Sequence, residues 1–130
     1  MAIRIVQLGS ARAPHEGTRI GTVRRPPRGV PKTEYASRDY YDVWLPMLSP
    51  TPELLTMGKN LGDEHTWAQF RKKFVTEMNA PDASRTLDLL AALSHQTDFS
   101  LGCYCEDESH CHRSVLRSLL AERGAAIKAR

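Results

Sequence analysis

Apolar and polar positions alternate at the start of the chain. Ile3, Ile5, Val6 and Leu8 surround Arg4 and Gln7 in a β-branched run that predicts a strand over residues 3–8, ended by Gly9 and Ser10. Residues 18–23 repeat the pattern more weakly. Residues 24–31 then carry Pro26, Pro27 and Pro31, which exclude a helix or a central strand and predict a stiff, extended, arginine-bearing loop. Residues 40–45 have strand composition and stop at Pro46. Thr51, Pro52 and Glu53 form a clear helix start: an N-cap hydroxyl, a proline at the first helical position and a carboxylate at the positive end of the dipole. Gly58 and residues 60–62 keep that helix short. Asp63 or Thr66 caps the next helix, which runs to about Met78. Its Trp67, Phe70, Phe74 and Met78 lie on one stripe and read as a core face. A third helix begins at Pro81-Asp82, carries Leu87, Leu89, Leu90 and Leu93, and runs to about His95. Residues 99–105 alternate again, with Phe99, Leu101, Cys103 and Cys105 on one face. A last helix over about residues 112–123 turns Val115, Leu116, Leu119 and Leu120 inward and stops at Gly124.

Helices stand between the third strand and the fourth, which calls for a crossover and at least one parallel pairing. The expected fold is α/β: one small domain over residues 1–130, with a mixed or largely parallel sheet flanked by helices.

Composition narrows the class. No apolar run approaches the roughly 20 residues of a membrane span, and the opening MAIRIVQLGS lacks the apolar core and small-residue cleavage site of a secretory signal. The cysteines number 3, an odd count, with two of them separated by a single residue. That fits reduced thiols, a metal site or a redox pair better than a secreted disulfide framework, so a cytoplasmic protein is expected. The formal charge of +3 is unevenly spread: residues 1–38 hold eight Arg/Lys against Glu16 and Glu34, leaving the other 92 residues at −3. A basic N-terminal third is either a solvated face or a contact surface for an anionic partner, nucleic acid included.

Reactive groups concentrate between Phe99 and Arg113, in FSLGCYCEDESHCHR, with all three cysteines, two of the five histidines and three carboxylates. Three chemistries compete. Cys103, Cys105, Cys111 and His110 or His112 form a zinc inventory. Against it, residues i and i+2 of a strand lie about 6.5–7 Å apart, so the chain must kink for Cys103 and Cys105 to share one ion. Alternatively, Cys111 beside His110, His112 and Arg113 at a helix start has the surroundings of an activated thiol, with Cys103 or Cys105 as resolving partner, although Glu106, Asp107 and Glu108 oppose ionisation. Finally, a helix N-terminus after a strand, with Arg113 as a guanidinium fork, suits an anion. Cysteine-phosphatase loops place an arginine six residues after the nucleophile. Here Arg113 lies eight after Cys105 and two after Cys111, so that chemistry is not expected, whereas anion recognition is.

Several motifs occur together in order: Arg28-Gly29-Val30 after a proline, Trp44-Leu45, Leu48 to Leu54, Trp67 with Phe70-Arg71, and the closing Cys105-Glu106-Asp107 to Cys111-His112-Arg113-Ser114. On these residues the chain resembles domain-of-unknown-function family 488, in particular its short YeaO-like branch, over most of its length. The resemblance implies a compact α/β fold and a site near the Cys-His-Arg motif, without naming a reaction. It also marks Arg28, Trp44, Cys111, His112 and Arg113 as motif positions. One departure is that the short branch usually has a tryptophan in a W-P-R-G-V turn, where this chain reads Arg25-Pro26-Pro27-Arg28-Gly29-Val30.

The resulting expectation is a site at the C-terminal strand–loop–helix junction, binding a small anionic ligand. Cys111 is the expected nucleophile or redox centre, His112 the acid/base and Arg113 the anion clamp. Arg24, Arg28, Trp44 and Cys105 join Arg113 as ligand-binding candidates. No cofactor is required. A zinc-stabilised domain and a nucleic-acid-binding module are the competing readings.

Overall fold

Four short strands carry the sheet in the computed structural model, which describes residues 1–58 and 63–129. They are β1 (Ile3–Gln7), β2 (Thr18–Gly21), β3 (Val43–Trp44) and β4 (Phe99–Cys103), in the order β1-β4-β2-β3. Every pairing is parallel, with Ile3 beside Phe99, Thr18 beside Phe99 and Ile20 beside Val43. The carboxyl ends of all four strands therefore share one edge, where α/β sheets place ligands. Among the described residues the α-helices are α1 (Pro52–Gly58), α2 (Glu64–Met78), α3 (Pro81–Leu93) and α4 (His112–Glu122). The α/β expectation holds, with the sheet wholly parallel. No helix of the described residues is long and apolar enough to cross a membrane.

The helix starts follow their sequence signals. Thr51 Oγ1 accepts from the Leu54 amide at 3.4 Å and donates to Glu77 at 2.7 Å, which ties α1 to α2. Asp63 accepts from the Thr66 amide at 2.8 Å while Thr66 Oγ1 accepts from the Asp63 amide at 3.4 Å, a reciprocal capping box. Gly124, at φ +78°, takes the left-handed turn that ends α4. Residues 60–62, expected to terminate the first helix, lie outside the described residues.

Phe70, Phe74 and Met78 of α2, Leu87 and Leu90 of α3, and Val115, Leu116, Leu119 and Leu120 of α4 form one core with Ile3, Ile20, Phe99 and Leu101 of the sheet. The opposite face of the sheet is polar. Strand alternation turns Arg19 and Ser100 away from the helices, and the buried Glu16 carboxylate meets both, at 2.7 Å and 2.9 Å.

Three boundaries differ from expectation. β3 keeps only two residues, because the chain turns at Asp39 (φ +63°) and the Tyr40 amide donates to Tyr35 O at 2.9 Å rather than to a strand. In α3, Leu89 and Leu93 face outward, 57% and 38% exposed, so the core face is Ala83, Leu87, Leu90 and Ala91. Most consequentially, β4 ends at Cys103. Its last partner on β1 is Gln7, after which Gly9 (φ +91°) turns that chain away. Cys105 lies beyond the ladder and is not held on the strand face.

Candidate thiol site

The kink at the end of β4 brings the cysteines together. Cys103, on the helix side of the central strand, and Cys111, the residue before α4, are buried at 1% and 3% exposure in a small cluster with Leu8, Val23 and Tyr41. Cys105 is exposed; it lines one cavity with Cys111 and another with Cys103, and its thiol interacts with both. The three sulfurs thus meet where the strand-period reading kept them apart. S–H donation from the two buried thiols and the charge of the Arg113 guanidinium push the Cys105 thiol far below its usual range. Cys103, donating to Cys105, is pushed up correspondingly. For Cys111, the bond with Cys103 works to lower the pKa, but the bond to Cys105 and burial outweigh it and raise the thiol to about 11. Ionisation settles on the solvent-facing sulfur.

His112 is buried between sheet and helices. Its Nε2 donates to the Thr22 carbonyl at 2.6 Å, and Thr22 is itself fixed to Gly102 O by its amide and its hydroxyl, both at 2.9 Å. With the ring proton on Nε2, Nδ1 is the acceptor, 3.7 Å from Cys111 Sγ. Phe74 packs edge-on against the ring at 5.5 Å. Burial lowers the His112 pKa to about 4, so the ring is neutral at pH 7. The sign for stability follows. The unfolded ring takes a proton below pH 6.5, whereas the folded ring resists until about pH 4, so its contribution is complete above 6.5 and declines as pH falls through that window. Denaturant unfolding at pH 7, 6 and 5 should show a decline that His112→Gln removes, amounting to about 3 kcal/mol over the full window.

A cavity of about 430 Å³ opens beside Cys105, with Cys111, His112, His110 and Phe70 in its walls and Arg25 and Arg28 contributed by the proline-rich loop. Among the described residues, neither guanidinium has a hydrogen-bond or ion-pair partner. A smaller cavity of about 200 Å³, bordered by Arg24, Arg25 and Tyr104, also reaches Cys105 and His112. Tyr104 Oη donates to Arg25 O at 2.8 Å, and Arg24 donates to Ser49 O and Pro50 O, both at 3.1 Å, so the proline-rich loop is tied down on both sides. The acidic loop is partly compensated: Arg117 grips Glu108 at 2.7 and 3.0 Å, and Asp107 accepts from Ser109 at 2.9 Å.

The expected site residues divide. Cys105, Cys111, His112 and Arg28 converge on the larger cavity. Arg24 borders the smaller one, its guanidinium engaged by carbonyls. Arg113 is buried and is not among the residues lining either cavity. Its Nη2 donates to Cys105 O at 2.6 Å and Glu106 O at 3.4 Å, so it holds the loop and does not present a free fork. Trp44 is not brought to the site. Its indole N–H donates to Val23 O at 2.6 Å, and it lines a separate cavity with Tyr35 and Tyr41. Of the basic N-terminal third, Arg12, Arg19 and Arg38 are paired with Asp42, Glu16 and Glu34.

Sequence reasoning omitted Arg25 and Phe70 from the site, and weighed His110 only as a zinc ligand and a neighbour of Cys111. Arg25 had a signal: in an extended proline-rich segment with three residues per turn, positions 25 and 28 share an edge and 24 does not. Phe70 was read as core, and it serves as both core and cavity wall.

Cys103, Cys111 and His112 also place one ligand atom each within 4.8 Å of the others. Three ligands around a tetrahedral zinc, with Zn–S near 2.3 Å, need separations of about 3.8 Å, a modest contraction.

The fold and site define a small, wholly parallel α/β domain with a thiol–imidazole cluster at the carboxyl end of its central strand. The chain belongs to the DUF488 family: the family model described as DUF488-N3a, the active DUF488-N3 subclade, matches residues 3–124. The match carries no assignment to the YeaO-like branch. No curated protein and no solved structure matches the chain.

Proposed function

We propose that this junction is a thiol-based active site in which Cys105 is the reacting sulfur and Arg25 and Arg28 receive an anionic group of the substrate. The observation that carries the reading is an exposed cysteine, neighboured by two buried thiols, in a cavity also lined by two guanidiniums that are unpaired among the described residues. The nucleophile moves from Cys111 to Cys105, because Cys111 is buried and retains its proton. Cys111 and Cys103 act as hydrogen-bond donors to the Cys105 thiolate. His112 Nδ1, 3.7 Å from Cys111 Sγ, competes with Cys105 for the single Cys111 proton, and Arg113 fixes the backbone that presents the sulfur. The loop from Glu106 to Glu108 is acidic, so it is no cradle for the anion; the positive charge comes from the opposite wall. Attack by Cys105 on an electrophilic centre would leave the substrate's anionic group on Arg25 and Arg28.

Two alkylating agents that differ only in charge test this. Iodoacetate should react with Cys105 of the native protein about fivefold faster, relative to iodoacetamide, than it does with the unfolded chain, reflecting roughly 1 kcal/mol of local attraction. Arg25→Gln with Arg28→Gln should erase that preference. A native protein indifferent to reagent charge would remove the anion assignment.

The cluster of Cys103, Cys111 and His112 favours a second reading, a structural zinc with Cys105 as a further donor and Thr22 O as outer support for the imidazole. One tightly held zinc per chain, with all three thiols protected from alkylation, would replace the catalytic reading.

A further inference from the structure

The site contains more sulfur than a single nucleophile requires. We propose that Cys105 and Cys111 form a reversible disulfide when the protein meets a hydroperoxide, making the loop between them a redox-modified element that withdraws the reactive sulfur.

The two sulfurs differ in the way such a pair needs. Cys105 is exposed and borders both cavities, so an oxidant of the size of hydrogen peroxide or a small alkyl hydroperoxide reaches it. Cys111 also lines the larger cavity but is only 3% exposed, so the same oxidant meets its sulfur far less often. The first step converts the Cys105 thiol to a sulfenic acid. The O–O bond breaks, one oxygen goes to sulfur, and the other leaves as water or an alcohol, with sulfur giving up two electrons. In the second step Cys111 sulfur attacks Cys105 sulfur, the S–O bond breaks and water departs with the Cys111 proton. His112 Nδ1, 3.7 Å from Cys111 Sγ, is placed to take that proton in transit. A dithiol reverses the bond by exchange and is itself oxidised to a disulfide.

Cys103 is the poorer partner although it also neighbours Cys105. It closes the β4 ladder opposite Gln7, and its carbonyl accepts from the Leu8 amide at 2.8 Å, so its backbone is held in the sheet. A bridge to Cys105 would close across a single intervening residue, and residues i and i+2 of a strand lie about 6.5–7 Å apart, so the end of the ladder would have to give way. Residues 104–111 instead contain only one 3-10 turn, Glu108–His110, and can follow a bond between their ends.

The disulfide needs only the sulfurs. That it silences the site rests on the function proposed above. The full-length reduced protein is treated with a slight excess of hydrogen peroxide, its remaining thiols are alkylated under denaturing conditions, and the products are mapped by mass spectrometry. Cleavage after Glu106 and Glu108 parts Cys105 from Cys111, and cleavage after Tyr104 parts it from Cys103. The expected product links Cys105 to Cys111, leaves Cys103 alkylated and loses Cys105 reactivity about tenfold or more until dithiothreitol restores it. In Cys111→Ser, sulfenic acid should accumulate on Cys105 and be trapped by dimedone. Wild-type protein that carries a Cys103–Cys105 bridge, is driven to sulfinic acid at Cys105 with Cys111 still free, or stays fully reduced would overturn the proposal. None of these outcomes depends on the iodoacetate preference, so the disulfide and the anion site stand or fall separately.

Discussion

Arg19→Met is expected to lower the unfolding free energy by about 3–5 kcal/mol, the usual cost of removing one partner from a buried ion pair. Arg19 is fully buried within the sheet. Its Nε and Nη2 donate to the two Glu16 carboxylate oxygens at 2.7 and 2.9 Å, and its Nη1 donates to Ser10 O and Asp39 O at 2.8 and 2.7 Å. Without the guanidinium, a carboxylate at 3% exposure keeps only the Ser100 hydroxyl and the Ala13 amide. Two carbonyls that pin the loops leading into β2 and β3 also lose their donor. Pairing the change with Glu16→Gln should recover part of the loss, because the uncompensated charge is gone. The pH dependence has a definite sign. Burial alone would raise the Glu16 pKa, but the bonds from Arg19, Ala13 and Ser100 outweigh it and hold the carboxyl below 4.5. Its contribution is therefore complete above pH 4.5 and fades as pH falls through the lower folded value. Urea titrations of the two single variants and the double variant measure all three quantities. A loss under 1 kcal/mol for Arg19→Met would mean the pair is not what holds that face.

Arg113→Met is expected to slow Cys105 alkylation about tenfold while costing about 2 kcal/mol of stability, the range for hydrogen bonds from a charged donor. The side chain is 4% exposed, and its Nη2 carries the carbonyls of Cys105 and Glu106. Removing it frees the backbone that presents the sulfur and takes away a positive charge that helps lower the Cys105 pKa. The rate should fall most below neutral pH, where the thiolate fraction is the limiting quantity. Uniform slowing at every pH would mark a purely structural role. Arg113→Lys, which keeps the charge but not the planar fork, should recover the low-pH rate only in part.

Much of this architecture was legible because short-range chemistry wrote it. The β-branched alternation at residues 3–8, the Thr51-Pro52 and Asp63-Thr66 caps and the Trp67–Met78 stripe each specify local structure that the tertiary fold keeps. What was not legible depends on contacts between distant segments. The period-two pattern of Phe99, Leu101, Cys103 and Cys105 continues past the point where β1 stops offering partners, so periodicity placed Cys105 on a face it does not occupy. Arg113 looked like an anion clamp from its place at a helix start. Nothing nearby in sequence says that the loop carbonyl of Cys105 reaches its guanidinium first. Trp44, carried by a family motif, turns to the far side of β2, where Val23 O receives its indole. The location of the site was readable from the crowding of thiols and imidazoles, whereas the division of labour among them required the kink after Cys103.

The most direct measurement is the rate of iodoacetamide alkylation of each cysteine in the native, reduced, metal-free protein between pH 5 and 9, resolved by peptide mapping. Cys105 should react first, about a hundredfold faster than Cys103 or Cys111 at neutral pH, with a rate that stays nearly level across the range because its thiolate is already formed. Fastest labelling at Cys111, or a Cys105 rate that climbs about tenfold with each pH unit toward an ordinary thiol value, would contradict the assignment of Cys105 as the reacting sulfur.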